Sequence, residues 1–151
     1  MKDIPQDIEA RKNWMGLLAK APTGRVAELL DAFGARPGST WLRKPEIGST
    51  MVRGRAGATG APFNLGEVTV TRCALKIDDG TVGHAYIQGR RKEDAEAAAI
   101  VDALMQTARA EDVQRAILDP LRTEMSEAKA ARAAKAAATK VDFFTMVRGE
   151  D

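Results

Sequence analysis

Cysteine, histidine and tyrosine each occur once in this chain of 151 residues, and aromatic residues make up 5% of it. One cysteine, Cys73, excludes an internal disulfide and any cysteine-cluster metal site, and it suits a reducing compartment. One histidine, His84, cannot form a metal-binding pair, and no serine or cysteine partner is evident for a nucleophilic dyad. His84 therefore reads as a strand residue and Cys73 as a small buried hydrophobe. No apolar run approaches the ~18 residues of a membrane span. The first residues, MKDIPQDIEARKNW, are charged and lack the apolar stretch of a signal peptide, so a cytoplasmic location is expected. A Gly-Lys-Ser/Thr ending and a GxGxxG fingerprint are both absent, which removes the usual phosphate and dinucleotide loops. Charge of one sign is also lacking. Lys and Arg number 23 against 21 Asp and Glu, and the net charge of +2 is too weak to indicate nucleic acid.

What is present suits one domain over 1–151, with 44% hydrophobic and 29% charged residues. A chain of this size buries roughly 70% of its unfolded surface. The organising stretch is Gly66 to Met105. Glu67 to Asp78 alternates, with Thr69, Thr71, Cys73, Leu75 and Ile77 on one face. Val68, Val70, Arg72, Ala74 and Lys76 lie on the other. Asp79-Gly80 is a strong hairpin signal. A two-residue turn there would set Ile77 against Val82, Leu75 against His84 and Cys73 against Tyr86. The opposite face would pair Ala74 with Ala85 and Val70 with Gly89. Those residues are small, so a helix or another subunit could approach closely. After Gln88-Gly89-Arg90-Arg91-Lys92 a helix follows. Glu93, Asp94 and Glu96 suit the positive end of its dipole, and Ile100, Val101, Leu104, Met105 and Ala108 form its buried stripe.

Before this unit, Trp14, Leu17, Leu18 and Ala21 share one helical stripe, and Val26, Leu29, Leu30 and Phe33 share another. Thr23 is the expected N-cap of the second helix, and Gly34 its end. Thr40 to Lys44 and Thr50 to Arg55 are strand candidates, with Pro45 at an edge or between strands. Gly54, Gly57, Gly60 and Gly66 read as a structural loop. Between Arg36 and Arg72 six basic residues face two acidic ones, a local +4 that suits a solvated basic face or an anionic ligand.

After the unit, Val113, Ile117 and Leu118 suggest a short helix interrupted at Asp119-Pro120. Leu121 to Lys140 is a helical stretch of ~30 Å, with alanine at eight of the eleven positions from 128 to 138. It needs a partner or projects into solvent. Residues 141–149, VDFFTMVRG, carry five large apolar residues in the first seven. Phe143, Phe144, Met146 and Val147 have the composition of an interface anchor, so the segment 141–151 is expected to pair with the sheet and meet a partner. Together these elements predict an α+β fold. An antiparallel sheet of about four or five strands is flanked by an N-terminal helical hairpin and C-terminal helices.

Residues spread along most of the chain carry a family resemblance. They include Arg11, Trp14-Met15, Leu18-Ala19, Thr59-Gly60, Phe63, Gly66 and Thr71-Arg72. Further matches are Asp79-Gly80-Thr81, Gly83, Gln88-Gly89-Arg90, Ala95-Glu96 and Asp102 to Gln106, and the segment 141–149 is the most specific. In these the chain resembles PhnG, a subunit of the bacterial carbon–phosphorus lyase system. Residues 22–49 and 110–140 depart from the pattern, and Cys73 and His84 lie outside it. The resemblance implies phosphonate metabolism, in which usable phosphate is released from alkylphosphonates. The chain would join three other subunits in a core complex with two copies of each. That complex displaces adenine from ATP with methylphosphonate, giving α-D-ribose 1-methylphosphonate 5-triphosphate. Such a chain is one subunit of a multi-protein transferase, with its catalytic residues in a partner chain and ATP as the substrate. The residues agree with an accessory role, since no acid–base pair or metal-ligand spacing stands out. No catalytic residue, cofactor or metal ligand is assigned to this chain. A second reading has Arg72, Arg90 or Arg148 grip a phosphonate or triphosphate oxygen with a bidentate guanidinium. A nucleic-acid-binding module is the weakest reading, because acids nearly balance bases.

Overall fold

A computed structural model describes residues 4–141. The central hairpin forms, but with a longer connection than the Asp79-Gly80 pair alone predicts. Gly80 adopts φ 90°, and its N–H donates to Ile77 O at 2.9 Å. The Ile77 N–H then donates to Thr81 O at 3.0 Å. This is a three-residue loop whose last residue is left-handed, the place where glycine costs least. The extra residue slips the register by one. In strands β2 (Pro62–Ile77) and β3 (Val82–Gln88), Leu75 faces Gly83, Cys73 faces Ala85 and Ala74 faces His84. The pairings Ile77–Val82, Leu75–His84, Cys73–Tyr86, Ala74–Ala85 and Val70–Gly89 are thereby corrected. A slip of one residue also turns every β3 side chain to the other face. Gly83, Ala85 and Ile87 therefore join Thr71, Cys73, Leu75 and Ile77 on the buried side, while His84, Tyr86 and Gln88 are exposed.

That small-residue surface is where helix α3 (Lys92–Leu104) lies. Its own contact residues are small as well, with Ala95, Ala97, Ala98, Ala99 and Ala103 all buried. At Gly83 the helix backbone comes so close that a Cβ would overlap the carbonyl of Ala99 and lie 3.0 Å from the Ala103 Cβ. On the helical side, α1 (Ile4–Ala19) and α2 (Arg25–Phe33) pack on α3. Leu18, Val26 and Leu30 from these helices meet Leu75, Ile87, Ile100, Ile117, Leu118 and Leu121 in one core.

The described sheet has three strands in the order β1-β2-β3, all antiparallel, rather than four or five. The two segments expected around Pro45 are one strand, β1 (Ser39–Arg55). It is an edge strand, and Pro45 falls in the register irregularity between Arg43 and Glu46, so its missing N–H breaks no regular ladder. The expected tail strand lies outside the described residues. Strand β3 ends opposite Val70. Beyond that point β1 and β2 continue alone as a two-stranded ribbon, from Gly48–Val70 to Arg55–Pro62. Its tip is a short 3-10 turn, Ala56–Ala58, with Gly57 and Ala58 at φ 59° and 64°.

Asp119-Pro120 does not interrupt the C-terminal helices. Helix α4 (Ala110–Val113) runs through one π turn (Gln114–Leu118) into α5 (Asp119–Ala138). Pro120 follows directly on the π turn, where the hydrogen-bond register changes. The π turn brings Ile117 and Leu118 into the core, and Leu121 follows them. From Ser126 to Ala138 every residue of α5 is exposed, so the alanine-rich half projects from the other described residues.

Candidate functional site

Two buried acids of α3 do the positioning in this molecule. Asp102 is fully buried and accepts four hydrogen bonds. Arg11 of α1 donates Nε to Oδ1 at 3.1 Å and Nη2 to Oδ2 at 2.7 Å. Trp14 donates Nε1 to Oδ1 at 2.8 Å, and the His84 backbone N–H donates to Oδ2 at 2.9 Å. One turn on, Gln106 donates Nε2 to the Val82 carbonyl at 2.9 Å. Asp102 thus ties α1 to α3 and, with Gln106, occupies hydrogen-bonding groups on the free edge of β3.

Asp94 does the same at the other end of α3. Both its oxygens lie 3.1 Å from the N–H of Gly24, the residue that precedes α2. Gly24, at φ 80°, is the N-cap in place of the expected Thr23, and the helix receives its carboxylate from α3 instead of from its own side chain. A negative group there also suits the α2 dipole. Arg91 donates Nη1 to Asp94 at 3.3 Å and to the Ala21 carbonyl at 2.8 Å. Buried Thr71 donates to Gly89 O at 2.7 Å and accepts from Arg91 N at 2.9 Å. An open depression of about 510 Å³ lies over this junction, lined by Thr23, Gly24, Ile47, Arg90, Lys92 and Glu93 among others.

Of the two expected anion-binding residues that are described, Arg90 lines this depression and Arg72 does not. Arg72 stands elsewhere, with its Nε on Glu46 Oε1 at 2.8 Å, and Arg43 joins the same carboxylate at 3.1 Å. The Arg72 hydrogen bond lowers the Glu46 pKa below its usual range. Arg148 and the anchor candidates Phe143, Phe144, Met146 and Val147 lie outside the described residues. Among the described residues no group of three or more His, Cys, Asp or Glu could hold a metal ion. No helix there is long and apolar enough to cross a membrane.

Cys73 is buried, and its Sγ donates to Ala95 O at 3.2 Å. Burial, with a smaller contribution from Glu96, pushes its thiol up to about 12. At pH 8 the thiolate is therefore scarce. Iodoacetamide at that pH is expected to leave the folded chain unlabelled for hours and to label it fully in urea. Fast labelling of the folded chain would place this sulfur at the surface.

Sequence reasoning gave Asp94 only a dipole role, placed Asp102 only within the family resemblance, and gave Arg91 no role. The signal for Asp102 was its setting, one acid inside Ala97 to Met105. A charge embedded in such a run needs a buried partner.

Comparison with known proteins agrees with the pattern of residues described above. The sequence model for "Phosphonate metabolism protein PhnG" matches residues 9–149. A protein of Rhizobium meliloti (strain 1021), described as "Alpha-D-ribose 1-methylphosphonate 5-triphosphate synthase subunit PhnG", is 42% identical over 144 residues. That match covers 95% of this chain and 92% of the relative. With both lengths almost fully covered, this chain belongs to the PhnG family of phosphonate metabolism proteins.

Proposed function

We propose that the chain is an accessory subunit of a cytoplasmic α-D-ribose 1-methylphosphonate 5-triphosphate synthase, which displaces adenine from ATP with methylphosphonate. The observation that carries this is the 42% identity, end to end, with a protein named as a subunit of that synthase. In this reading three other kinds of subunit join it, two copies of each, and the catalytic groups lie in a partner chain. ATP is a substrate of the complex, and this chain brings no cofactor. The chemistry of the described residues supports it. The two buried carboxylates of α3 are occupied by Arg11, Trp14, His84, Gly24 and Arg91. The apolar segment 141–151 belongs to this reading as an interface anchor, by its composition.

The depression at the start of α3 favours a second reading, direct contact with a phosphonate or triphosphate. Arg90 and Lys92 stand at the N-terminal end of a 13-residue helix, where dipole and side chains both favour an anion. One experiment separates the two. The synthase subunits are co-expressed with and without this chain, and adenine release from ATP plus methylphosphonate is measured. Release is expected to vanish without the chain and to survive Arg90→Ala/Lys92→Ala. A loss of ~10-fold or more in that variant, with the complex intact, would match a missing charge-assisted contact and establish the second reading. Full release in the absence of the chain would sink both.

A further inference from the structure

Beyond Gly48 the two-stranded ribbon sorts its side chains by face. Gly54, Phe63 and Leu65 lie together, since a Cβ at Gly54 would meet Leu65 at 3.8 Å and Phe63 at 3.9 Å. Strand alternation sends Arg53 and Arg55 to the other face. There Asn64 is the ladder partner of Arg53, and Pro62 that of Arg55. From Gly48 to Gly66 the chain contains no Asp or Glu. Glu67 stands on the arginine face, opposite Met51, and makes no ion pair among the described residues. Arg53 has no ion pair or hydrogen bond there either, and Arg55 gives only one Nη1 N–H, to the Gly60 carbonyl at 3.1 Å. Further along the sheet the arginines are satisfied, since Arg43 and Arg72 share Glu46.

The pair borders an open depression of about 540 Å³, whose other lining residues are Gly54, Ala58 and Pro62. That volume suits a small molecule, and no lining residue is acidic. The loop beside it is constrained. Ala58, at φ 64°, is the one non-glycine residue with positive φ among those described. Strain of this kind gathers at ligand clamps. The Gly60 N–H donates to Ala56 O at 2.9 Å, and a Cβ at Gly60 would lie 2.8 Å from the same oxygen. The turn therefore admits no side chain at position 60 and fixes the carbonyl that orients Arg55. No core packing requires this, because no residue from Gly48 to Thr69 is buried.

We infer that Arg53, Arg55 and Asn64 form a binding site for a polyphosphate chain at the tip of the ribbon. The two arginines are rooted two residues apart on one strand face, about 7 Å. Each guanidinium offers a planar fork that matches the oxygens of one phosphoryl group. Neighbouring phosphoryl groups of one chain thus take one fork each, and the Asn64 amide supplies a neutral donor beside Arg53. A single phosphate engages fewer of these donors. Two cations on a short face, with Glu67 behind them, fall short of the extended basic surface that reads nucleic acid. The site goes beyond the proposed function and does not depend on it, since binding is read directly.

The test titrates the full chain with tripolyphosphate at low salt in a calorimeter. Arg53→Gln and Arg55→Gln are each expected to weaken binding by ~10-fold or more, the loss of one charge-assisted contact. The double variant should weaken it further. Melting temperatures should not change, because both side chains are exposed. Gly60→Ala keeps every charge but forces the loop to move, so it too is expected to weaken binding by ~10-fold. Orthophosphate should bind at least ~10-fold more weakly than tripolyphosphate. No binding by the wild type, or undiminished binding in the double variant, would overturn the site. Unchanged affinity in Gly60→Ala would reduce the two arginines to general surface charge and overturn it as well. A loss seen only with Arg90→Ala/Lys92→Ala would move the anion to the depression beside α3. A 20-base-pair duplex that binds more tightly than tripolyphosphate, and is lost in the double variant, would assign the face to nucleic acid instead. Each of these outcomes is independent of adenine release, so the proposed function stands or falls separately.

Discussion

Asp102→Ala is expected to lower the melting temperature of the chain by about 10 °C. The substitution strands a guanidinium, an indole N–H and a backbone N–H around a cavity where a carboxylate stood. Breaking a buried pair from one side costs about 3–5 kcal/mol, because the remaining charge and donors keep their desolvation without their partner. In a chain of this length each kcal/mol moves the midpoint by about 2–4 °C. Asp102→Asn keeps the volume but presents an amide NH₂ to groups that are all donors, so it should fall between the wild type and alanine. Arg11→Ala in the Asp102→Ala background should cost much less than in the wild type, since the two side chains act as one unit. A midpoint within 2 °C of the wild type for Asp102→Ala would show that these four bonds are replaceable by water.

The second large effect is expected at Gly83. Gly83→Ala puts a methyl into the Ala99 carbonyl. A flexible side chain could swing away, but this neighbour is helix backbone held in place by its own hydrogen bond. The strand and α3 must separate, and overpacking of this kind costs about 1–3 kcal/mol or more. We expect a drop in midpoint of about 8 °C, and no soluble chain from Gly83→Val. Gly16→Ala supplies the contrast. A Cβ there meets nothing within 4 Å, and the residue lies within α1. The same chemical change should then stabilise, by about 1 kcal/mol of helix propensity. If both variants melt alike, close approach of α3 to β3 is not what fixes glycine at position 83.

The helical half of this structure was legible because its rule is periodic. Leu18, Ala21, Val26, Leu29 and Leu30 are buried as their spacing requires, and so are Ile100, Val101 and Leu104. One face of β2 was legible by alternation, with Thr71, Cys73, Leu75 and Ile77 all buried. The partner strand was not, because a turn signal such as Asp79-Gly80 fits both two- and three-residue loops, and one residue reverses the faces. That reversal turned His84 and Tyr86 outwards and handed Gly83 and Ala85 to α3. The close approach expected on the face of Val70 and Ala74 occurs instead on the opposite, buried face, at Gly83, and comes from the chain's own helix. Pro45 misled in another way, since an edge strand absorbs a proline that a central strand would not. The depression and the two carboxylate junctions join residues 70 to 91 positions apart, and no local pattern reports such distances. Arg72 and Arg90 looked equivalent in the sequence, yet only the fold shows one paired with Glu46 and the other beside open space.

Those separations have a consequence for how the chain is made. Helices α1 and α2 leave the ribosome first, but the carboxylates that hold them come from Asp94 and Asp102, and the sheet beneath α3 is also incomplete until then. At about 5–20 residues per second, Arg11 and Trp14 wait roughly 5–20 s for their partner. During that interval the apolar stripes of both helices have no core to join. Long-range closure of this kind also slows folding of the finished chain. The N-terminal third is thus the part most in need of a chaperone during synthesis, although in the finished molecule it is among the best anchored.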